Sequence, residues 1–282
     1  MMRVLVTGAN GQLGTDVVAA LQRCGMEPIA TDADELDIVQ KEAVERYFLI
    51  HKPDAVIHCA AYTAVDKAES DAENCAKINI DGTRNIALAA ELVSAKMIYI
   101  SSDYVYSGDG DQPQGEDAVV TPRNVYGRTK LAGEEAARNC ARLFVVRTSW
   151  VYGLHGHNFV KTILQAAQTH DTLRVVCDQI GSPTYTEDLA VFLCDLVQSD
   201  KYGTYNVSGE GFCSWHTFAQ TILTFAGRKS CVIPVSTDEY PCAASRPLNS
   251  RLQKQRLRDA GFEPLPFWKD ALARFMHQYV SE

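Results

Sequence analysis

Tyr126 and Lys130 stand four positions apart in the sequence, a spacing that places both side chains on one face of a helix. An ammonium group near a phenol favours the ionised phenol, so Lys130 is expected to lower the pKa of Tyr126 toward neutrality. A phenol tuned in this way can exchange a proton with a reacting group. The alternative is an ordinary amphipathic helix, on which the Tyr126 ring simply lies beside a solvated Lys130 charge and neither residue has a catalytic role.

A glycine-rich turn, residues 7–14, follows an apolar stretch near the start of the sequence. The spacing of Gly8, Gly11 and Gly14 lets the backbone turn tightly, approach a pyrophosphate and pack a helix against its strand. The amides at the start of that helix would face the phosphates. Such glycines can also simply close a strand-to-helix turn. Together with Tyr126 and Lys130, however, the turn indicates nicotinamide redox chemistry.

Ser102 stands at the end of another apolar stretch, residues 97–100, which we expect to form a strand. Open α/β sheets bind their ligands at the ends of their strands. The position of this hydroxyl therefore favours the catalytic interpretation of Tyr126 and Lys130.

The elements that must position these residues alternate between strand and helix. Short apolar stretches predict five strands, at residues 4–6, 28–30, 55–57, 97–100 and 143–146. The intervening segments are long enough for helical crossovers, which is typical of buried parallel strands. We therefore predict an α/β fold with a doubly wound, Rossmann-type parallel sheet and a smaller C-terminal substrate lobe.

Two helix starts are predicted from capping residues. Residues 81–83 precede an alanine-rich segment, residues 85–93, which we expect to be helical. Asn124 precedes the helix that should carry Tyr126 and Lys130.

Asp32 follows the second predicted strand, and no Lys or Arg occurs from residue 31 to residue 40. A carboxylate near the adenosine ribose accepts hydrogen bonds from free hydroxyls but repels a 2′-phosphate, and NADP-selective sites usually place a cation there. The sequence therefore favours NADH. The alternative is that Asp32 only caps a turn.

Composition and charge restrict the function. The 282 residues carry a formal net charge of −8 without a Lys/Arg-rich block, which disfavours a nucleic-acid partner. No apolar stretch approaches the roughly 20 residues that span a bilayer, so we expect no membrane partner. Because residues 1–6 lead directly into the glycine turn, we expect no signal peptide and a cytoplasmic protein. The nine cysteines are odd in number and widely spaced, which indicates neither a disulfide framework nor a zinc site.

Longer motifs narrow the interpretation. With its glycine turn, strand-end serine and Tyr-x-x-x-Lys pair, the sequence resembles the extended short-chain dehydrogenase/reductase superfamily. It is most similar to the dTDP-4-dehydrorhamnose reductase family, and the resemblance runs nearly from end to end. The motifs that carry it lie, in order, at residues 58–69, 101–106, 147–153, 178–184 and 244–247. Ser102 stands where the family often has threonine, and both residues supply a hydroxyl.

This resemblance implies a reaction in dTDP-rhamnose biosynthesis. The C4 ketone of dTDP-4-dehydro-β-L-rhamnose would be reduced to dTDP-β-L-rhamnose by a reduced nicotinamide, and the permissive family implies that both NADH and NADPH are used. Tyr126 would be the general acid, and Ser102 would hydrogen-bond the carbonyl or the developing alkoxide. Lys130 would hold the nicotinamide ribose and lower the pKa of Tyr126.

The resemblance also implies two lobes and their binding residues. The predicted NAD(P)-binding domain is residues 1–150 and 178–202, and the predicted substrate lobe is residues 151–177 and 203–282. The expected cofactor-binding residues are Gly8, Asn10, Gly11, Gln12, Leu13, Gly14, Asp32, Asp37, Ile38, Ala60, Ala61, Tyr62, Tyr126 and Lys130. The expected substrate-binding residues are Ser102, Tyr104, Trp150, Asn158, Gln179 and Arg246. The alternatives are a core aromatic for Trp150 and a surface salt bridge for Arg246.

Some members of this family bind magnesium through acidic residues at a dimer contact. Asp16, Glu187 and Asp188 are the candidates in this sequence. Exposed helical carboxylates usually bind nothing, so we assign no metal site. Magnesium dependence and a homodimer are both left open.

Two other functions remain as alternatives. A nucleotide-sugar epimerase or dehydratase shares the fold, the tyrosine and the lysine but retains its NAD. A dehydratase usually adds acidic residues directly after the strand-end serine or threonine, where this sequence has only Asp103. The second alternative is a non-catalytic, dinucleotide-binding regulatory subunit, which the presence of Ser102, Tyr126 and Lys130 disfavours.

Overall fold

Apolar stretches form the strands, and the segments between them form helices, in the computed structural model, which describes residues 1–281. The strands are β1 Arg3–Thr7, β2 Glu27–Thr31, β3 Ala55–His58, β4 Lys96–Ser102, β5 Leu143–Thr148, β6 Val151–Tyr152, β7 Thr172–Val176, β8 Ile180–Gly181, β9 Thr184–Tyr185, β10 Gly203–Asn206, β11 Cys213–Ser214 and β12 Cys231–Val235. The helices are α1 Gln12–Arg23, α2 Lys41–His51, α3 Val65–Ala68, α4 Ala72–Ala76, α5 Thr83–Leu92, α6 Val125–Ala137, α7 Phe159–Ala166, α8 Thr186–Gln198, α9 Trp215–Phe225, α10 Gln255–Asp259 and α11 Trp268–Ser281. Among these helices, none combines the length and the apolar character needed to cross a membrane.

The main sheet is parallel throughout, with the strand order β10-β5-β4-β3-β1-β2. Leu5 in β1 is paired with Ile29 in β2 and Val56 in β3. One face packs against α1 and α8, and the other packs against α2, α5 and α6. The prediction of a doubly wound, Rossmann-type parallel sheet is therefore confirmed, and each of the five predicted strands is present.

One predicted helix begins where expected but without a capping side chain, since α5 starts at Thr83. A π-helical stretch, Lys77–Gly82, joins α4 directly to α5, so the chain is already helical before Thr83. The Thr83 hydroxyl does not cap a helix but donates to the Asn79 carbonyl at 2.8 Å, beside the buried ring of His58. The other start is confirmed, because the Asn124 side chain accepts from the Gly127 N–H at 2.7 Å.

The smaller lobe has its own aromatic core. Trp268, Phe218 and Phe275 are buried there with Tyr152 and Tyr185. These large rings provide the apolar area that a lobe with only two-stranded sheets needs in order to pack.

Two elements lie close to the predicted lobe boundaries. β10 starts at residue 203, the predicted start of the second substrate segment, but it pairs with β5 at the edge of the main sheet. Tyr185, predicted in the NAD(P)-binding domain, packs in the aromatic core of the smaller lobe. The reason is that α8 packs against α1 while the short strands before it pair with the smaller lobe. Residue 282, the last of the predicted substrate lobe, lies outside the described residues.

Replacing Gly14 with alanine tests how closely α1 packs against the glycine turn. The added methyl would lie 2.0 Å from the Gly8 carbonyl oxygen, so the helix would have to move. We expect the free energy of unfolding, measured by urea denaturation, to fall by about 1–3 kcal/mol, which is usual for overpacking. Gln22→Ala, on the exposed face of the same helix, is the control and should change stability by less than about 0.5 kcal/mol. A Gly14→Ala protein as stable as the wild type would contradict this contact.

Candidate active site

A cavity of about 950 Å³ lies at the carboxyl edge of the main sheet, where the smaller lobe faces it. The glycine turn, the end of β4 and the first turns of α6 line it from the main domain. Trp150, Asn158 and Trp215 line it from the other side. The topology of the sheet thus brings the predicted catalytic and cofactor-binding segments to one place.

The glycine turn leaves room for a ligand close to the backbone. Gly8 has a φ of +64°, and a Cβ on it would lie 2.8 Å from the backbone of Ala60. The Gly11 N–H donates to the Gly8 carbonyl at 3.0 Å, and α1 begins at the next residue. The start of a helix offers unpaired amides to an anion. These residues therefore fit the pyrophosphate of a dinucleotide.

The end of the cavity beside β2 is acidic. The Asp32 carboxylate accepts from the Asn10 N–H at 3.0 Å and from the Ala33 N–H at 2.8 Å, so it does cap the turn after β2. A carboxylate has about four acceptor positions, so two remain for ribose hydroxyls. No Lys or Arg occurs among the described residues that line this end: Asp32, Ala33, Leu36, Asp37, Ile38 and Val39.

The three predicted catalytic residues line the cavity together. Ser102 ends β4, and its hydroxyl donates to Asp103 at 3.0 Å and accepts from the Tyr104 N–H at 3.2 Å. Tyr126 lies in the first turn of α6, where its ring meets that of Tyr104 edge to face at 5.6 Å. One turn later, the Lys130 ammonium donates to the Ile100 carbonyl at 2.7 Å.

Burial shifts the pKa values of Tyr126 and Lys130 in opposite directions. It raises the pKa of Tyr126, an effect that the Ser102 hydroxyl opposes. It also lowers the pKa of Lys130 to about 7, against the attraction of Glu134. The sequence predicts that Lys130 lowers the pKa of Tyr126, but in the structure the pKa of Tyr126 is raised. The reason is that both groups are desolvated and the ammonium faces the Ile100 carbonyl and the Tyr99 ring, 4.2 Å from the ring centroid.

Asp103 is a further carboxyl group in the cavity wall, only 4% exposed. Burial raises its pKa to about 6, against the hydroxyls of Ser250 and Ser102. Its Oδ2 atom has no hydrogen-bond partner among the described residues. This carboxyl therefore changes charge close to neutral pH.

The cavity wall also presents an aromatic surface and a cation. Trp150 stacks on Trp215 with ring centroids 3.6 Å apart. Arg246 donates to the Asp66 carboxylate at 2.6 Å and remains in the cavity wall. Asn158 caps α7 and also donates to the Gln12 side chain at 2.9 Å, which joins the smaller lobe to the glycine turn.

Three predicted binding residues do not line the cavity. Tyr62 donates through its backbone to Asn79 and through its hydroxyl to Asp71, at 2.8 and 3.1 Å. The Gln179 side chain donates to Thr237 at 3.1 Å. Asn10 takes part only through its backbone bond to Asp32. The structure brings the following predicted residues to the cavity: Gly8, Gly11, Gln12, Leu13, Gly14, Asp32, Asp37, Ile38, Ala60, Ala61, Ser102, Tyr104, Tyr126, Lys130, Trp150, Asn158 and Arg246.

Sequence reasoning missed several features of this site, among them Trp215 in the cavity wall and Asp66, the ion-pair partner of Arg246. Trp215 follows Ser214, whose side chain caps α9, and this local pattern predicts a helix start but not a ring stacked on Trp150. Asp66 is far from Arg246 in sequence, so only the fold shows their ion pair.

The three candidate magnesium ligands each have a protein partner. Thr186 donates to the Asp16 carboxylate, Gln278 donates to Glu187, and Arg274 forms an ion pair with Asp188. In the part of the chain that the structure describes, no three His, Cys, Asp or Glu side chains form a group that could hold a metal.

Comparison with known proteins agrees with this arrangement. The family model described as RmlD substrate binding domain matches residues 2–281. The spore coat polysaccharide biosynthesis protein SpsK of Bacillus subtilis strain 168 is 40% identical over 282 residues, covering 100% of this chain and 99% of the relative. The dTDP-4-dehydrorhamnose reductase of Escherichia coli strain K12 is 37% identical over 298 residues, covering 99% of each.

A solved structure extends the likeness to three dimensions. The dTDP-4-dehydrorhamnose reductase of Bacillus anthracis strain Ames, in complex with NADP, superimposes with a TM-score of 0.96 at 43% identity, over 99% of this chain and 100% of that one. The family model and these full-length relatives establish the family that the sequence motifs predict. The chain belongs to the RmlD family, which includes the dTDP-4-dehydrorhamnose reductases.

Proposed function

We propose that this protein reduces the C4 ketone of dTDP-4-dehydro-β-L-rhamnose to dTDP-β-L-rhamnose in dTDP-rhamnose biosynthesis, with NADH or NADPH as the reductant. One observation carries the proposal: the glycine turn, Ser102, Tyr126 and Lys130 line a single cavity. The full-length relatives named dTDP-4-dehydrorhamnose reductase support the choice of substrate.

The residues of the cavity have distinct tasks in this reaction. A reduced nicotinamide supplies the hydride when it is bound. Tyr126 donates the proton to the carbonyl oxygen, and its raised pKa keeps the phenol protonated until that step. Ser102 hydrogen-bonds the same oxygen and so fixes its position beside the phenol. Lys130 holds the ribose through its ammonium, anchored on the Ile100 carbonyl.

The opposite wall binds the nucleotide-sugar. The Arg246 guanidinium suits the diphosphate, because its planar fork matches two phosphate oxygens. The stacked Trp150 and Trp215 rings offer an apolar face to a sugar or base. We assign Trp150 and Trp215 to a substrate lobe formed by the segments around α7, α9 and α11, with α8 and β10 returning to the cofactor domain.

The alternatives predict different behaviour toward cofactor. An epimerase or dehydratase would retain its NAD, whereas this reductase must exchange NADH at every turnover. A regulatory subunit would bind a dinucleotide without consuming it. The substrate partner is a dTDP-sugar, a homodimer is a further expectation, and the cytoplasm is the expected location. Neither nucleic acid nor membrane has a place in the proposal.

A direct assay tests the function. With the keto-sugar supplied, NADH or NADPH absorbance should decrease in step with the formation of dTDP-rhamnose. Cofactor that stays tightly bound and is regenerated would instead indicate an epimerase or dehydratase. Binding without oxidation would indicate the regulatory subunit.

Tyr126→Phe removes the proton donor and keeps most of the aromatic packing. We expect turnover to fall by about 10²–10⁴-fold, the usual contribution of general acid catalysis. Because the other cofactor contacts remain, NADH affinity measured by fluorescence should change little. A variant that keeps most of the wild-type turnover would rule out Tyr126 as the acid.

Lys130→Met keeps a flexible apolar stem and removes the ammonium. Turnover and NADH affinity should both decrease, because the ammonium both holds the ribose and supplies the positive charge of the site. Steady-state kinetics and fluorescence titration measure the two effects. If both stay at wild-type values, Lys130 is an ordinary buried helix residue.

Asp32→Ala should shift the preference toward NADPH. In the wild type we expect the catalytic efficiency with NADH to be at least comparable to that with NADPH, because a 2′-phosphate near a carboxylate costs energy that a free hydroxyl does not. A change of about 1.4 kcal/mol alters this preference tenfold. Steady-state kinetics with both cofactors decide the matter. A strong wild-type preference for NADPH that the substitution leaves unchanged would mean that Asp32 does not face the ribose.

A further inference from the structure

Glu134 joins the elements that carry the catalytic residues. It lies in α6, one turn after Lys130, and its Oε1 accepts from the Ser101 hydroxyl at 2.6 Å. Ser101 precedes Ser102 in β4 and is paired with Arg147 in β5. Arg147 in turn donates to both Glu134 oxygens, at 2.8 and 2.7 Å. One carboxylate therefore connects the helix of Tyr126 and Lys130 to the strand of Ser102.

This junction is buried and fully bonded. The side chains of Glu134 and Arg147 are 3% and 7% exposed. The guanidinium also donates to the Tyr106 hydroxyl at 2.8 Å and to the Glu116 carbonyl at 3.1 Å. A buried ion pair retains its charges only when its hydrogen bonds are satisfied, as they are here. The pair is neutral as a whole, so removing either charge leaves the other uncompensated.

Lys130 and Glu134 hold adjacent residues of one strand. The ammonium binds the Ile100 carbonyl, while the carboxylate binds the Ser101 hydroxyl. On a helix, residues four apart lie on the same face, so the carboxylate is close enough to favour the charged ammonium. The other titratable groups facing Lys130 are His58, Cys59, Cys75 and Tyr99.

From this geometry we infer that Glu134 is a positioning residue for the reductase: it holds α6 on β4 and keeps the Lys130 ammonium charged for cofactor binding. The inference rests on the proposed function for its effect on turnover, but its effect on NADH binding is independent of the substrate. Arg147 balances the carboxylate, so that its charge can remain buried.

Glu134→Gln tests the inference because it keeps the shape of the side chain and removes its charge. Burial already lowers the pKa of Lys130 to about 7, and losing the attraction of the Glu134 carboxylate would lower it further. NADH affinity, measured by fluorescence across pH, should therefore begin to weaken at a pH lower by about one unit than in the wild type. With the keto-sugar, the alkaline limb of kcat/KM should shift in the same direction.

Three further variants separate charge from packing. Glu135→Gln is the matched control, since Glu135 is exposed on the same helix, and its pH profile should be that of the wild type. Glu134→Asp keeps the charge but shortens the reach to Ser101. Turnover should therefore fall at every pH, while the alkaline limb of the pH profile stays in its wild-type position. Combining Glu134→Gln with Arg147→Gln removes the uncompensated charge without restoring the carboxylate, so this double variant should regain stability while its alkaline limb stays shifted.

Two outcomes would overturn the inference. One is a Glu134→Gln profile that coincides with that of Glu135→Gln. The other is a loss of thermal stability with an unshifted profile, because that result assigns Glu134 a packing role alone. If Glu134→Gln does not fold, the double variant gives the test, and an alkaline limb at the wild-type position would then overturn the inference. A wild-type protein that does not reduce the keto-sugar refutes the proposed function, whereas the pH dependence of NADH binding still decides the role of Glu134.

Discussion

The parallel arrangement of the main sheet is the constraint on which the site depends. All six strands run in one direction, so their carboxyl ends meet at a single edge. The glycine turn follows β1, Asp32 follows β2, and Ser102 ends β4. Residues far apart in sequence therefore line one cavity without any long loop to bring them there.

Burial at that edge has opposite effects on the two members of the catalytic pair. Loss of water disfavours every charged form, so it raises the pKa of Tyr126 and lowers that of Lys130. A phenol that stays neutral suits the direction of the proposed reaction, because reduction requires a proton donor. The ammonium needs help to remain charged in the same environment, and Glu134 supplies it from one turn further along the helix.

Much of this arrangement was predictable from the sequence, because it depends on local patterns. Alternating apolar stretches gave the five strands, and Asn124 marked the start of α6 through a bond to the third residue after it. The helical stretch before residue 83 could not be predicted, because it is π-helical and has no capping side chain. Gln179 was assigned to the substrate by its motif, yet its side chain binds Thr237, a contact that only the packing of a distant segment creates. The stacking of Trp150 on Trp215 could not be predicted either, because it too joins segments that are distant in sequence.

Contacts across the cavity indicate how its two sides are held together. Asn158, from the smaller lobe, donates both to the Gly153 carbonyl beside it and to Gln12 at the start of α1. Gln12 returns a bond to the Val151 carbonyl at 3.2 Å. The position at which a pyrophosphate would approach the glycine turn is thus bonded directly to the wall that carries Trp150. Under the proposed function, the cofactor and the nucleotide-sugar would therefore contact surfaces that these hydrogen bonds join directly.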